Sequence, residues 1–145
     1  MRILIFEDND ILRSILKDLL EELGYEVETF SNPGLCPVYG SIIHDCPLDE
    51  ACSDVIISDV NMPAQTGLEL MRERKRKGCK AKYRALMSGD WADSDLKDAK
   101  ELGCRVFHKP FNLKEMLQWL NQCNEQLDQE RKLSKLPEDL KSKYR

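Results

Sequence analysis

The chain has 145 residues, 26 acids against 22 Lys and Arg, and a formal net charge of −4. That length suffices for one globular domain with its own core, and the mild negative charge gives no reason to expect direct nucleic-acid binding. Only four apolar residues follow Met1-Arg2, too few for a signal peptide, and no later run approaches membrane-spanning length, so a cytoplasmic protein without membrane contact is expected.

The first apolar run, Ile3-Leu4-Ile5-Phe6, predicts a strand near 2–6 and ends in Glu7-Asp8. Ile11, Leu12, Ile15, Leu16, Leu19, Leu20 and Leu23 then form a helical stripe that Gly24 is placed to end. Glu26 to Phe30 alternates apolar and polar residues and reads as an edge strand. A helix should follow. Instead, residues 31–53 carry Pro33, Gly34, Pro37, Gly40 and Pro47 and predict an irregular segment replacing most of the second helix.

Val55-Ile56-Ile57-Ser58 predicts a strand near 54–58, ending in Asp59. Thr66 with Glu69 reads as a capping box that opens a helix through about Lys77, closed by Gly78. Ala85-Leu86-Met87 ends a strand near 82–87 and leads to Ser88. A helix from about Ala92 to Leu102 is closed by Gly103. Val106-Phe107-His108 ends a strand near 104–108 and leads to Lys109-Pro110. Asn112 with Glu115 predicts the cap of a last helix reaching about Glu130.

Strands alternating with helices predict an α/β fold, a doubly wound five-stranded parallel sheet with right-handed crossovers. Such sheets bind ligands outside the carboxyl ends of their strands. Glu7, Asp8, Asp59, Ser88 and Lys109 all fall at that edge. Three carboxylates together repel one another unless a proton or a cation intervenes. Oxygen ligands without Cys or His favour Mg²⁺, and with Lys109 the site balances in charge only when the metal is bound. A carboxylate in this setting can attack phosphorus while metal and ammonium stabilise charge on the phosphoryl oxygens.

These residues, with Asp59-Val60-Asn61-Met62-Pro63 and Lys109-Pro110-Phe111 in order, resemble the receiver (CheY-like) domain of two-component response regulators over roughly Arg2 to Leu127. The resemblance implies strand order 2-1-3-4-5 and a receiver domain over 1–130. It implies Asp59 as phosphoacceptor and Mg²⁺ held by Asp8, Asp59, the Asn61 carbonyl and, through water, Glu7. Ser88 becomes the switch hydroxyl and Lys109 the phosphate-sensing ammonium, followed by a cis proline bond. Gly89 should leave Asp59 open to a phosphodonor. It further implies a stand-alone regulator that takes a phosphoryl group from a sensor histidine kinase or phosphotransfer protein. By the same resemblance the chain should catalyse its own modification and slow hydrolysis and otherwise be no enzyme. With no output domain following, the signal passes by partner binding or onward phosphotransfer. One departure stands out: the family places Tyr or Phe three residues before the lysine, where this chain has Val106, with Phe107 next.

Two features lie outside that resemblance. Cys36, His44, Cys46 and Cys52 have the ligand types of a metal or redox site, although their spacing matches no CxxC pattern. They support an alternative reading, a thiol- or metal-sensing module on a receiver scaffold. The segment 131–145 has six basic and two acidic residues and reads as a solvated basic tail. A phosphohydrolase of the haloacid-dehalogenase type ranks lower, because Asn61 stands where that family needs a second Asp.

Overall fold

The structure, a computed structural model, describes residues 1–35, 50–63, 65–110 and 112–134. Five parallel strands form one sheet in the order β2-β1-β3-β4-β5. They are β1 (Arg2–Phe6), β2 (Glu26–Phe30), β3 (Val55–Asp59), β4 (Tyr83–Ser88) and β5 (Arg105–His108). The helices are α1 (Asp10–Glu22), α2 (Gly67–Arg76), α3 (Asp93–Glu101) and α4 (Leu113–Gln126). After β2 the described residues hold a 3-10 turn, Pro33–Leu35.

Burial on both faces explains why β1 and β3 are almost wholly apolar. Alternate residues of each strand join two separate cores. Ile3, Ile5, Val55 and Ile57 pack with Leu16 and Leu20 of α1 and Met116 and Leu120 of α4. Leu4, Phe6 and Ile56 pack with Leu68, Leu70 and Met71 of α2 and Ala99 of α3. Each buried aliphatic side chain contributes roughly 1.5–3 kcal/mol relative to exposure, so this double pattern fixes strand register. A one-residue slip would exchange the two cores.

Local signals set the helix ends. Thr66 accepts from the Glu69 amide at 3.1 Å, completing the capping box. Gly24, Gly78 and Gly103 follow the ends of α1, α2 and α3 with φ of 91°, 76° and 74°, a conformation that side chains resist.

Two expectations change. Ile11 and Ile15 of the α1 stripe are exposed (74% and 53%), as is Leu23. The row Leu12-Leu16-Leu20, four residues apart, turns to the sheet, and the parallel row Ile11-Ile15 is left beside it. Asn112 does cap α4, but by accepting from Lys114 N at 2.9 Å, while Glu115 pairs with Arg105 at 2.7 Å. No helix among the described residues is long and apolar enough to cross a membrane.

The chain beyond α4 returns to the amino ends of the strands. Arg131 grips the buried Asp54 carboxylate with two bonds of 2.5 and 2.6 Å. Ser134 N donates to Ala51 O at 2.8 Å, and Arg2 Nη1 donates to Ser134 O at 2.7 Å. The first residues of the basic tail therefore lie against the sheet.

Candidate functional site

Parallel pairing brings the carboxyl ends of β1, β3, β4 and β5 to one edge. Phe6 pairs with Ser58, Asp59 with Met87, and Ser88 with His108. The residues at those ends must meet. Glu7, Asp8 and Asp59 each present a carboxylate oxygen within 4.8 Å of the others. Glu7 and Asp59 are buried and Asp8 is exposed, so the cluster opens to solvent on one side.

Lys109 crosses the crevice. Its Nζ lies 2.7 Å from Glu7 Oε1 and 3.4 Å from Asp59 Oδ2. Burial opposes its charge, but the bond to Glu7 and the nearby Asp59 hold the ammonium above the ordinary lysine value. Glu7 is pushed up to about 7, first by burial; Lys109 pulls it down, and Asp59 adds to the rise. Glu7 Oε2 is buried and finds no donor among the described residues. With a second acid beside it, that oxygen takes a proton or meets a cation. An orphaned carboxylate oxygen within an all-oxygen cluster fits a hard divalent ion. The donor set thus matches the Mg²⁺ site of receiver domains.

Ser88 ends β4 fully buried. Its hydroxyl accepts from Asp90 N at 3.1 Å and Asn61 Nδ2 at 3.3 Å, and donates to Asp90 O at 3.3 Å. Asn61 thus reaches the crevice beside Ser88. The Lys109-Pro110 bond is cis, and Lys109 N donates to Ser88 O at 2.7 Å. A Cβ at Gly89 would only touch Lys109, at 3.6 Å from its carbonyl oxygen.

Gly67 is a site residue that sequence reasoning passed over. A Cβ there would lie 2.3 Å from Asp59 O, and its amide donates to Val60 O at 2.9 Å. A glycine at the first position of a capped helix, where helix propensity argues against it, was the available signal. Gly67→Ala is expected to displace the Asp59 backbone and cost about 1–3 kcal/mol, read as a lower urea midpoint.

The aromatic question is decided by strand parity. Val106 packs into the core on the α2 and α3 side, whereas Phe107 faces α1 and α4 and meets Trp119 edge-on at 5.7 Å. Phe107 therefore points away from the Ser88 face. An aromatic residue on that face is Trp91. It packs in Val106's core, donates from Nε1 to Phe107 O at 3.3 Å, and lies 6.2 Å edge-on to His108.

Of the possible thiol ligands, Cys52 is buried in the apolar core beside Leu4 and Ile56. Cys36, His44 and Cys46 lie outside the described residues. Among the described residues, Glu7, Asp8 and Asp59 form the one group of three or more side chains that could hold a metal.

A family model, the response regulator receiver domain, matches residues 3–121. The chain is 28% identical over 121 residues to the chemotaxis protein CheY of Bacillus subtilis, covering 83% of this chain and 94% of that one. It is 27% identical over 115 residues to the DNA-binding transcriptional regulator NtrC of Azospirillum brasilense, covering 79% of this chain but only 22% of that protein. The crystal structure of Vibrio cholerae chemotaxis protein CheY4 superposes with a TM-score of 0.65 at 28% identity, covering 84% of this chain and 97% of that one. The non-phosphorylated HemR receiver domain of Leptospira biflexa shares the fold, with a TM-score of 0.68 over 90% of this chain and 98% of that one, at 24% identity. A matched family model, the shared fold and the acidic cluster at the carboxyl edge of the sheet agree: this chain belongs to the response regulator receiver domain family.

Proposed function

We propose that the chain is a response regulator receiver that accepts a phosphoryl group on Asp59 from a histidine kinase or phosphotransfer protein in a Mg²⁺-dependent reaction. The observation that carries this reading is the meeting of Glu7, Asp8 and Asp59 with Lys109 across the crevice. An Asp59 carboxylate oxygen attacks phosphorus as the P–N bond of phosphohistidine breaks, and the electron pair returns to the imidazole. Asp8, Asp59 and the Asn61 carbonyl, with Glu7 through water, would hold Mg²⁺, which would supply Lewis-acid stabilisation of charge on the phosphoryl oxygens. Lys109 is already beside Asp59 and adds a second positive charge. The Ser88 hydroxyl turns from Asp90 O to donate to the bound phosphoryl group.

A phosphodonor protein must dock where its histidine reaches this crevice. Ile11 and Ile15 of α1 are exposed there, and Ile15 lines an apolar groove of about 330 Å³ with Leu12, Pro110 and Leu113, next to Lys109. Ile15→Asp is expected to slow phosphoryl transfer from the partner protein about tenfold or more while leaving transfer from acetyl phosphate unchanged. Equal slowing with both donors would mean that the change had reached the chemistry. Downstream, the modified crevice biases the surface of α3, β5 and α4, through which a target or onward acceptor reads the state.

The direct test is incubation with acetyl phosphate and Mg²⁺, followed by intact mass. Wild type is expected to gain one phosphoryl group and Asp59→Asn none. Equal labelling of both chains would refute the assignment.

A further inference from the structure

A second cavity lies at the opposite end of the sheet. Asp54, which precedes β3, lines it, so the length of a five-residue strand, roughly 16 Å, separates it from Asp59. Its volume is about 350 Å³, at the small end of the roughly 300–1,000 Å³ of ligand pockets. The lining is mostly apolar, with Ala51, Leu127 and Leu133. Around it stand Lys80, Lys82 and Lys132, all exposed, and one exposed acid, Asp128, so that the three lysines outnumber the one carboxylate not already paired with Arg131.

The cavity depends on the chain beyond α4. Leu133 and Lys132 belong to the stretch fixed by the Arg131–Asp54 pair and by Ser134 on Ala51. Ser53 also lines it, fully buried, with a hydroxyl that has no partner among the described residues.

Charge selects the visitor. Between Arg72 and Arg84 the sequence holds eight Lys or Arg and one acid, in a protein of net charge −4. Lys75 and Arg76 are exposed and extend the positive field beyond the rim. Lys82 is lightly held, with Nζ 3.3 Å from Gln126 O and 5.4 Å above the Tyr83 ring. Two features favour an acidic protein segment over a nucleic acid. Among the described residues the lining offers no aromatic platform for bases. Arg131, the one guanidinium among the described lining residues, is committed to Asp54, leaving lysines rather than the forks that read phosphate bidentately.

We propose that this cavity is a docking site for an acidic peptide segment, with an aliphatic side chain entering between Leu127 and Leu133 and flanking carboxylates meeting Lys80, Lys82 and Lys132. The site is independent of Asp59 chemistry. Its distance from the crevice allows a partner to be held there while a phosphodonor occupies the other end.

The test is fluorescence anisotropy of a labelled short peptide of glutamates around one central leucine, at low salt, with the full chain. Saturable binding is expected, weakened about tenfold or more by Lys82→Glu combined with Lys132→Glu, both exposed positions whose folding is checked by thermal melt. Replacing the peptide leucine by serine should weaken binding comparably. Three results would each overturn the proposal: no binding, binding indifferent to the charge reversals, or equal binding of the serine peptide. Tighter binding of oligothymidine than of the glutamate–leucine peptide would overturn it in favour of a nucleic-acid surface. Labelling by acetyl phosphate should stay at wild-type level in the double variant.

Discussion

Asp8→Asn is expected to need at least about tenfold more Mg²⁺ than wild type for half-maximal labelling by acetyl phosphate. Chelation of divalent ions should stop labelling of both chains. The reason is electrostatic. Glu7 and Asp59 are buried together, and Lys109 already bonds to Glu7 at 2.7 Å and approaches Asp59 at 3.4 Å. One ammonium does not balance three carboxylates, and Glu7 Oε2 is without a donor among the described residues. Asp8 is the exposed member of the trio, so it meets an incoming hydrated ion first. Removing its charge weakens the cation site without opening a buried cavity, and the fold should survive. Mg²⁺ should also raise the melting temperature of wild type, because it binds the folded state alone, and raise that of Asp8→Asn less at the same concentration. Unchanged Mg²⁺ dependence in Asp8→Asn would mean that the ion is held elsewhere.

Arg131→Ala is expected to destabilise the fold by about 1–3 kcal/mol, although it lies in a segment that looks like a solvated tail. Asp54 is 2% exposed and receives two bonds from Arg131 and one from Arg2 N at 2.8 Å. Losing Arg131 leaves a buried carboxylate with one backbone donor. The figure sits below that for a fully buried pair because the Arg131 side chain is 21% exposed. At this chain length each kcal/mol moves the melting temperature by about 2–4 °C. Acid should reveal the same pair. Burial pushes the Asp54 carboxyl up, but Arg131 and the Arg2 amide hold it below the ordinary range. A carboxylate lowered by folding contributes stability that is complete above the unfolded value, about 3.9. That stability is lost as pH falls through the lower, folded value. Wild type and Arg131→Ala should therefore differ most at neutral pH and converge as pH falls through that lowered folded value. A constant gap down to the lowest pH, or melting curves that coincide at pH 7, would show that the pair contributes nothing.

Much of the site was legible because strands of a parallel sheet end in register. Polar residues that follow apolar runs must then meet at one edge, and Glu7, Asp59, Ser88 and Lys109 do so. Glycines and the Thr66–Glu69 box marked helix ends for equally local reasons. What sequence pattern does not encode is rotation about an axis. Seven apolar residues on α1 define a broad stripe, but packing against a flat sheet uses only the Leu12-Leu16-Leu20 row fully and leaves Ile11 and Ile15 outside. Long-range pairs are equally silent. Nothing near Arg131 signals Asp54, 77 positions away. Gly67 is required by an oxygen on β3, and Trp91, in the loop after β4, packs against the same core as Val106 of β5. In each case the partner comes from a distant part of the chain, and only the assembled sheet brings the two together.

The central claim concerns one oxygen of one side chain. Borohydride reduction converts an aspartyl phosphate to homoserine, so a chain treated with acetyl phosphate and Mg²⁺ can be reduced, digested and sequenced by mass spectrometry. Homoserine at position 59, absent when Mg²⁺ is withheld, is the predicted result. Homoserine at Asp8 or another acid, or a bound phosphoryl group that yields none at all, would contradict it.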